Sequence, residues 1–144
     1  MKQKPLVVYY SKTGNTKKIA QAIAKVLGTE TRSAKEVKEV PEDAFIIAGS
    51  GTYGNKAGKQ MTEFLERLPS MKGKKAAVFG TSGAGRFEES GGLNRMKQIL
   101  EEKGAKPVGT FCCQGSSFYM FNRGHPNAEE MENARKFADG LMER

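Results

Sequence analysis

Leu6-Val7-Val8-Tyr9-Tyr10-Ser11-Lys12-Thr13-Gly14-Asn15-Thr16 is the stretch on which the fold turns. Its first five residues are an unbroken apolar run rich in β-branched and aromatic side chains. Such a run reads as a strand covered on both faces, the habit of a parallel sheet. The next six are polar, small and turn-forming. From Asn15 to Leu27 the apolar residues change period: Ile19, Ala20, Ile23, Ala24 and Leu27 fall on one helical face. Gly28 is a natural stop for that helix.

The same grammar repeats along the chain. Thr29–Ser33 is expected to be a short second strand, and Glu36–Asp43, polar and holding Pro41, a connection with at most one helical turn. Ala44–Gly49 and Lys75–Gly80 are buried-strand runs, and Pro107–Cys113 is a fifth strand. Lys59–Leu68, closed by Pro69, carries Met61, Phe64, Leu65 and Leu68 at helical spacing. Leu93–Lys103, closed by Gly104, carries Met96, Ile99 and Leu100, and Asn127–Met142 is the last helix. Strands alternating with helices imply a three-layer, doubly wound α/β fold with a five-stranded parallel sheet, and right-handed crossovers restrict its topology. The 144 residues suit one domain, 1–144, with no internal repeat and no linker.

In an open parallel sheet, ligands bind beyond the carboxyl ends of the strands, where the strand order reverses. Three post-strand loops are built from Ser, Thr, Gly and Asn: Ser11–Thr16, Ser50-Gly51-Thr52-Tyr53-Gly54-Asn55 and Thr81-Ser82-Gly83-Ala84-Gly85. The first lies between a buried strand and a helix start. Unpaired N–H groups and partial positive charge at that start suit a phosphate. Gly14 lets the backbone approach closely. Ordinary N-capping by Thr13 or Asn15 is the alternative, but a cap needs one such residue and five of these six are of the required types. Tyr53, flanked by glycine, offers a ring either to stack on a planar ligand or to pack on its own loop. A Walker pattern is absent, because Gly58-Lys59 is followed by Gln60 and Tyr53 stands where the first glycine belongs. No Rossmann glycine pattern follows the first strand, and the acidic residues of a response regulator are missing there.

Taken in order, these loops make the sequence resemble the flavodoxin family over essentially its whole length. Ser11-Lys12-Thr13-Gly14-Asn15-Thr16 is similar to the family's [ST]-x-[ST]-G-x-T phosphate loop. Gly51-Thr52-Tyr53-Gly54 is similar to its second loop, and Phe79-Gly80-Thr81-Ser82-Gly83 to the start of its third. The resemblance implies strand order 2-1-3-4-5, the short-chain form, and FMN as cofactor. It implies FMN contacts at Ser11, Lys12, Thr13, Gly14, Asn15, Thr16, Thr52, Tyr53, Gly54, Asn55, Thr81, Ser82, Gly83 and Gly85. Phe87 stands where the family offers a tyrosine to the outer flavin face; either it substitutes or that face stays open.

The implied function is electron transfer between redox partner proteins, a reductase and an acceptor. The alternative is an FMN-dependent oxidoreductase acting on a quinone or similar small acceptor, which an open face and a basic rim favour. No Ser/His/Asp triad and no paired carboxylates stand at the strand ends, so no catalytic residue is assigned and the chemistry falls to the cofactor. His125 alone makes no metal site, and adjacent Cys112-Cys113 suit neither a disulfide framework nor a zinc site. They read as reduced residues at a strand end, with a thiol role as the alternative. Phe118-Tyr119-Met120-Phe121 reads as core packing rather than a docking patch.

Charge departs from the family pattern. The chain carries 24 Lys/Arg and 16 Asp/Glu, a net +8, and all of it falls in residues 1–80. Flavodoxins are typically acidic around the flavin, whereas here Lys12, Lys17, Lys18, Lys56, Lys59 and Arg86 lie near the expected site. Positive charge there favours the anionic reduced flavin and should make the second one-electron potential less negative. The basic half reads either as a solvated lysine surface or as a face for an anionic partner. Without interleaved aromatics it is not a nucleic-acid platform. No stretch is long and apolar enough to span a bilayer, and no signal peptide is recognised, so a cytoplasmic location is expected.

Overall fold

In the computed structural model, which describes residues 4–11, 14–53, 56–82, 91–114 and 128–142, β1 (Lys4–Tyr10) is an inner strand of the sheet. It pairs in parallel with β2 (Thr31–Ser33) on one side and β3 (Ala44–Tyr53) on the other. β3 pairs in turn with β5 (Lys75–Ser82), and β5 with β6 (Lys106–Gln114), both in parallel. A two-residue strand, β4 (Lys56–Ala57), folds back antiparallel on the end of β3. The spatial order is β2-β1-β3-β5-β6, which is 2-1-3-4-5 once β4 is set aside. This is the flavodoxin-like arrangement that the resemblance implies.

Each strand sends alternate residues to opposite faces. Val8, Tyr10, Ile46, Ala48 and Val78 meet α2 (Lys59–Glu66) and α3 (Gly91–Glu102) through Met61, Phe64, Leu65, Met96, Ile99 and Leu100. Val7, Phe45, Ile47, Ala77 and Phe79 meet α1 (Asn15–Leu27) and α4 (Ala128–Met142) through Ile19, Ile23, Ala134, Ala138 and Leu141. Both faces are thereby sealed, which accounts for the unbroken apolar runs. Between β2 and β3 no helix forms. Ala34 and Val37 of that connection are buried against the first face, so an irregular segment covers the sheet there.

Gly28 takes φ 69° after α1 and donates its N–H to the Lys25 carbonyl, while the Thr29 N–H reaches the Ala24 carbonyl. This paired closure satisfies two end carbonyls and uses Thr29 for the cap. Thr29 Oγ1 also donates to the Pro5 carbonyl at 3.0 Å. The second strand therefore starts at Thr31, two residues later than expected.

Other boundaries shift outward. β1 begins at Lys4, β3 runs on to Tyr53, β5 to Ser82 and β6 to Gln114. Residues read as loop are strand because neighbours pair with them: Gly51 with Thr81, Thr52 with Ala57, Ser82 with Gln114. Pairing of this kind overrides the weak intrinsic strand preference of glycine. Among the described residues no helix is long and apolar enough to cross a membrane.

Candidate flavin site

The switch in strand order lies between β1, which leads to β2 on one side, and β3 on the other. The crevice beyond their carboxyl ends is where ligands of such sheets bind. Three chain segments reach it: the β1–α1 loop, the β3–β4 hairpin and the end of β5.

In the first segment, Ser11 is half-buried and its Oγ accepts the Gly14 N–H at 2.9 Å, closing a tight turn. Gly14 itself has φ 92°, a conformation that favours glycine. As the N-cap of α1 it has no side chain to make a cap hydrogen bond, and the first turn holds no acidic residue. That turn instead carries exposed Lys17 and Lys18. An N-terminus built this way presents main-chain N–H groups, the positive end of the helix dipole and two ammonium groups. Thr16, 2% exposed, is held inside the same turn. Thr13, one of the two residues read as an alternative cap, lies outside the described residues, and the N-cap position itself is taken by Gly14.

In the second segment, Ser50 is 2% exposed at the end of the buried part of β3. Its Oγ accepts the Gly58 N–H at 2.8 Å and donates to the Gly51 carbonyl at 2.8 Å. The hairpin is thus tied at its base to the start of α2. Gly58 lies flat on Tyr10: a Cβ built there would overlap the tyrosine ring. Lys35 Nζ sits 5.6 Å from the centroid of that ring. Tyr10, Ser50 and Gly58 therefore join the ends of β1 and β3. Sequence reading did not single them out as site supports; the one available signal was a hydroxyl residue directly after an apolar strand run.

The structure brings Ser11, Gly14, Asn15 and Thr16 together at one end of the crevice. The backbones of Thr52 and Tyr53 stand on β3, and those of Thr81 and Ser82 on the adjacent β5. Lys12, Thr13, Gly54, Asn55, Gly83, Gly85 and Phe87 lie outside the described residues, as do His125 and Phe118–Phe121. Cys112 and Cys113 are placed by backbone on β6. Among the described residues no three His, Cys, Asp or Glu gather into a metal-holding group.

A family model described as a flavodoxin domain matches residues 6–118, most of the chain and all three of these segments. The chain belongs to the flavodoxin family. An uncharacterised protein of Methanocaldococcus jannaschii is 33% identical over 149 residues, covering 96% of this chain and 98% of that one. A flavodoxin of Megasphaera elsdenii is 31% identical over 114 residues, covering 72% of this flavodoxin-family chain and 81% of the relative. Among solved structures, Fusobacterium nucleatum flavodoxin bound to flavin mononucleotide superposes with a TM-score of 0.73 at 20% identity, each chain covered to 98%. At that identity the likeness is one of fold.

The donor set of this flavodoxin-family chain fits FMN. A doubly charged phosphate needs convergent donors without opposing carboxylates, and the Gly14-capped start of α1, with Lys17 and Lys18 and no acidic residue in its first turn, is suited to supply them. The flavin ring needs a slot with main-chain polar groups at its rim, and the neighbouring ends of β3 and β5 are placed to provide one.

Proposed function

We propose that this chain is a single-domain, cytoplasmic, FMN-binding electron carrier working between redox partner proteins, a reductase and an acceptor. The observation that carries the reading is the start of α1, capped by Gly14 without any side chain and free of acidic residues in its first turn. In an ordinary helix a Ser, Thr, Asp or Asn side chain fills that place. Here Gly14 takes that place, and exposed Lys17 and Lys18 follow it in the first turn.

In this reading Ser11, Lys12, Thr13, Gly14, Asn15 and Thr16 hold the phosphate. Thr52, Tyr53, Gly54 and Asn55 border one side of the flavin ring, and Thr81, Ser82, Gly83, Gly85 and Phe87 the other. The cofactor supplies the redox chemistry. The chain binds it, orients it and sets the charge around it. Ser50 and Gly58 act through the hairpin they anchor, and are positioning residues.

Titration of the purified protein with FMN, followed by flavin fluorescence and the visible spectrum, tests this directly. Stoichiometric quenching with sub-micromolar affinity is expected. An unperturbed flavin spectrum at high protein concentration would reject the reading. Steady-state oxidation of NAD(P)H by a quinone without any added reductase would assign the chain to the oxidoreductases instead of the carriers.

A further inference from the structure

The pole of the sheet opposite the flavin site carries a concentration of like charge. Lys72 and Lys74 lie just before β5, which opens on Lys75, and Lys103 lies just before β6, which opens on Lys106. Backbone contacts fix them side by side. The Lys106 N–H donates to the Lys74 carbonyl at 2.9 Å, and the Met71 N–H to the Lys103 carbonyl at 2.7 Å. Gly104, at φ 95°, brings its α-carbon against Lys72, where an added Cβ would stand 3.2 Å from the Lys72 backbone. Lys75 and Lys106 are register partners on adjacent parallel strands, so they project to the same side of the sheet.

Like charges directly opposed on neighbouring strands destabilise a sheet. Among the described residues, Lys72, Lys74 and Lys106 enter no ion pair. The nearby Glu66 carboxylate is engaged by Arg95 at 3.6 Å, and Lys103 Nζ donates to the Glu66 carbonyl at 2.8 Å. Among the described residues no ion pair therefore offsets the repulsion that Lys72, Lys74 and Lys106 exert on one another.

Tuning of the flavin does not account for it. β5 has eight residues, which at about 3.3 Å each places the cluster about 23 Å from the other end of that strand. The screening length is about 8 Å at physiological ionic strength, so exposed charges there have little effect at the flavin pole.

We propose that this lysine cluster is a docking surface for an acidic segment of a partner protein, which it holds while the flavin pole stays open. A compact acidic segment fits better than the other polyanions. The same pole carries Asp43, paired with Lys4 at 3.9 Å, and Glu42 beside it, and α3 ends on Glu101 and Glu102. A flat anionic membrane would have to face those carboxylates as well, whereas a short segment contacts the lysines alone. Nucleic acid is disfavoured because the cluster holds no arginine fork and no aromatic for stacking.

A fluorescently labelled ten-residue glutamate peptide is the probe, with anisotropy read on the FMN-loaded protein at low and moderate salt. Saturable binding is expected, weakening as salt rises. The variant K72Q/K74Q/K106Q should bind the peptide at least tenfold more weakly, show a higher Tm than the parent at low salt because repulsion is removed, and quench FMN as the parent does. Absence of peptide binding, or equal binding by that variant, overturns the proposal. So does tighter binding to phosphatidylserine vesicles or to duplex DNA than to the peptide. Loss of peptide binding in K17Q/K18Q, with the triple variant unaffected, would move the docking surface to the flavin pole and also overturn it. FMN quenching, read separately in each variant, keeps a failure of docking distinct from a failure of the flavin reading.

Discussion

Gly49 sits in the centre of the sheet, in register with Tyr9 on one side and Phe79 on the other. Its missing side chain is what lets the Phe79 ring lie flat on β3, since a Cβ built at Gly49 would overlap that ring. Phe79 is fully buried among the α1 and α4 side chains, so the ring has nowhere to retreat. G49A is therefore an overpacking substitution in a filled core, worth about 1–3 kcal/mol of lost stability. Urea unfolding of the flavin-free protein checks it: the midpoint should fall with the slope unchanged. An unchanged midpoint would mean that the ring and strand adjust freely. Gly49 was legible in the sequence only as the end of an apolar run, because the partner that explains it lies thirty residues downstream.

At the level of elements, the β3–β4 hairpin depends on one hydroxyl. Ser50 Oγ receives the buried Gly58 N–H and returns its own proton to the Gly51 carbonyl. S50A leaves a buried donor and a buried acceptor without those partners, a penalty of about 1–3 kcal/mol. Because the hairpin carries Thr52 and Tyr53, the loss should weaken FMN binding more than S50T, which keeps a hydroxyl; calorimetric titration with FMN compares the two. Equal affinities in S50A and the parent would separate Ser50 from the site. The elements themselves were largely legible: runs such as Ala44–Gly49 and the period of Ile19, Ile23 and Leu27 state their burial directly. The strand ends were not. Gly51–Tyr53 and Thr81-Ser82 have the composition of loops, and only pairing across the sheet makes them strands. Among the candidate site residues, Ser11–Thr16 could be proposed as a phosphate loop from sequence because its requirements are local, whereas the hairpin anchor joins Ser50 to a glycine eight positions away.

For the molecule as a whole, charge is divided between two poles separated by the length of the sheet. At the flavin pole, the first turn of α1 contributes two lysines and no acid: Lys17 and Lys18 are both exposed. Lys59 at the start of α2 is partly offset by Glu63 at 3.9 Å, which leaves Lys17 and Lys18 as the described cations next to the expected phosphate. One unit charge acting over ~10 Å at an effective dielectric of ~20 is worth roughly 1.7 kcal/mol before screening. Exposure to water and salt cuts that to a fraction. Since ~1.4 kcal/mol corresponds to ~59 mV for one electron, two such lysines amount to a few tens of millivolts. Both should favour the anionic reduced flavin over the form with one electron fewer. K17Q/K18Q is therefore expected to make the second one-electron potential more negative by about that amount, with the difference shrinking as salt is raised. Anaerobic redox titration of the FMN-loaded protein at two ionic strengths measures it. A potential that does not move at low salt would show that the phosphate neutralises these lysines before their field reaches the ring. K72Q/K74Q/K106Q, altered at the far pole, should leave the potential where it is, because about 23 Å of screened distance separates it from the site.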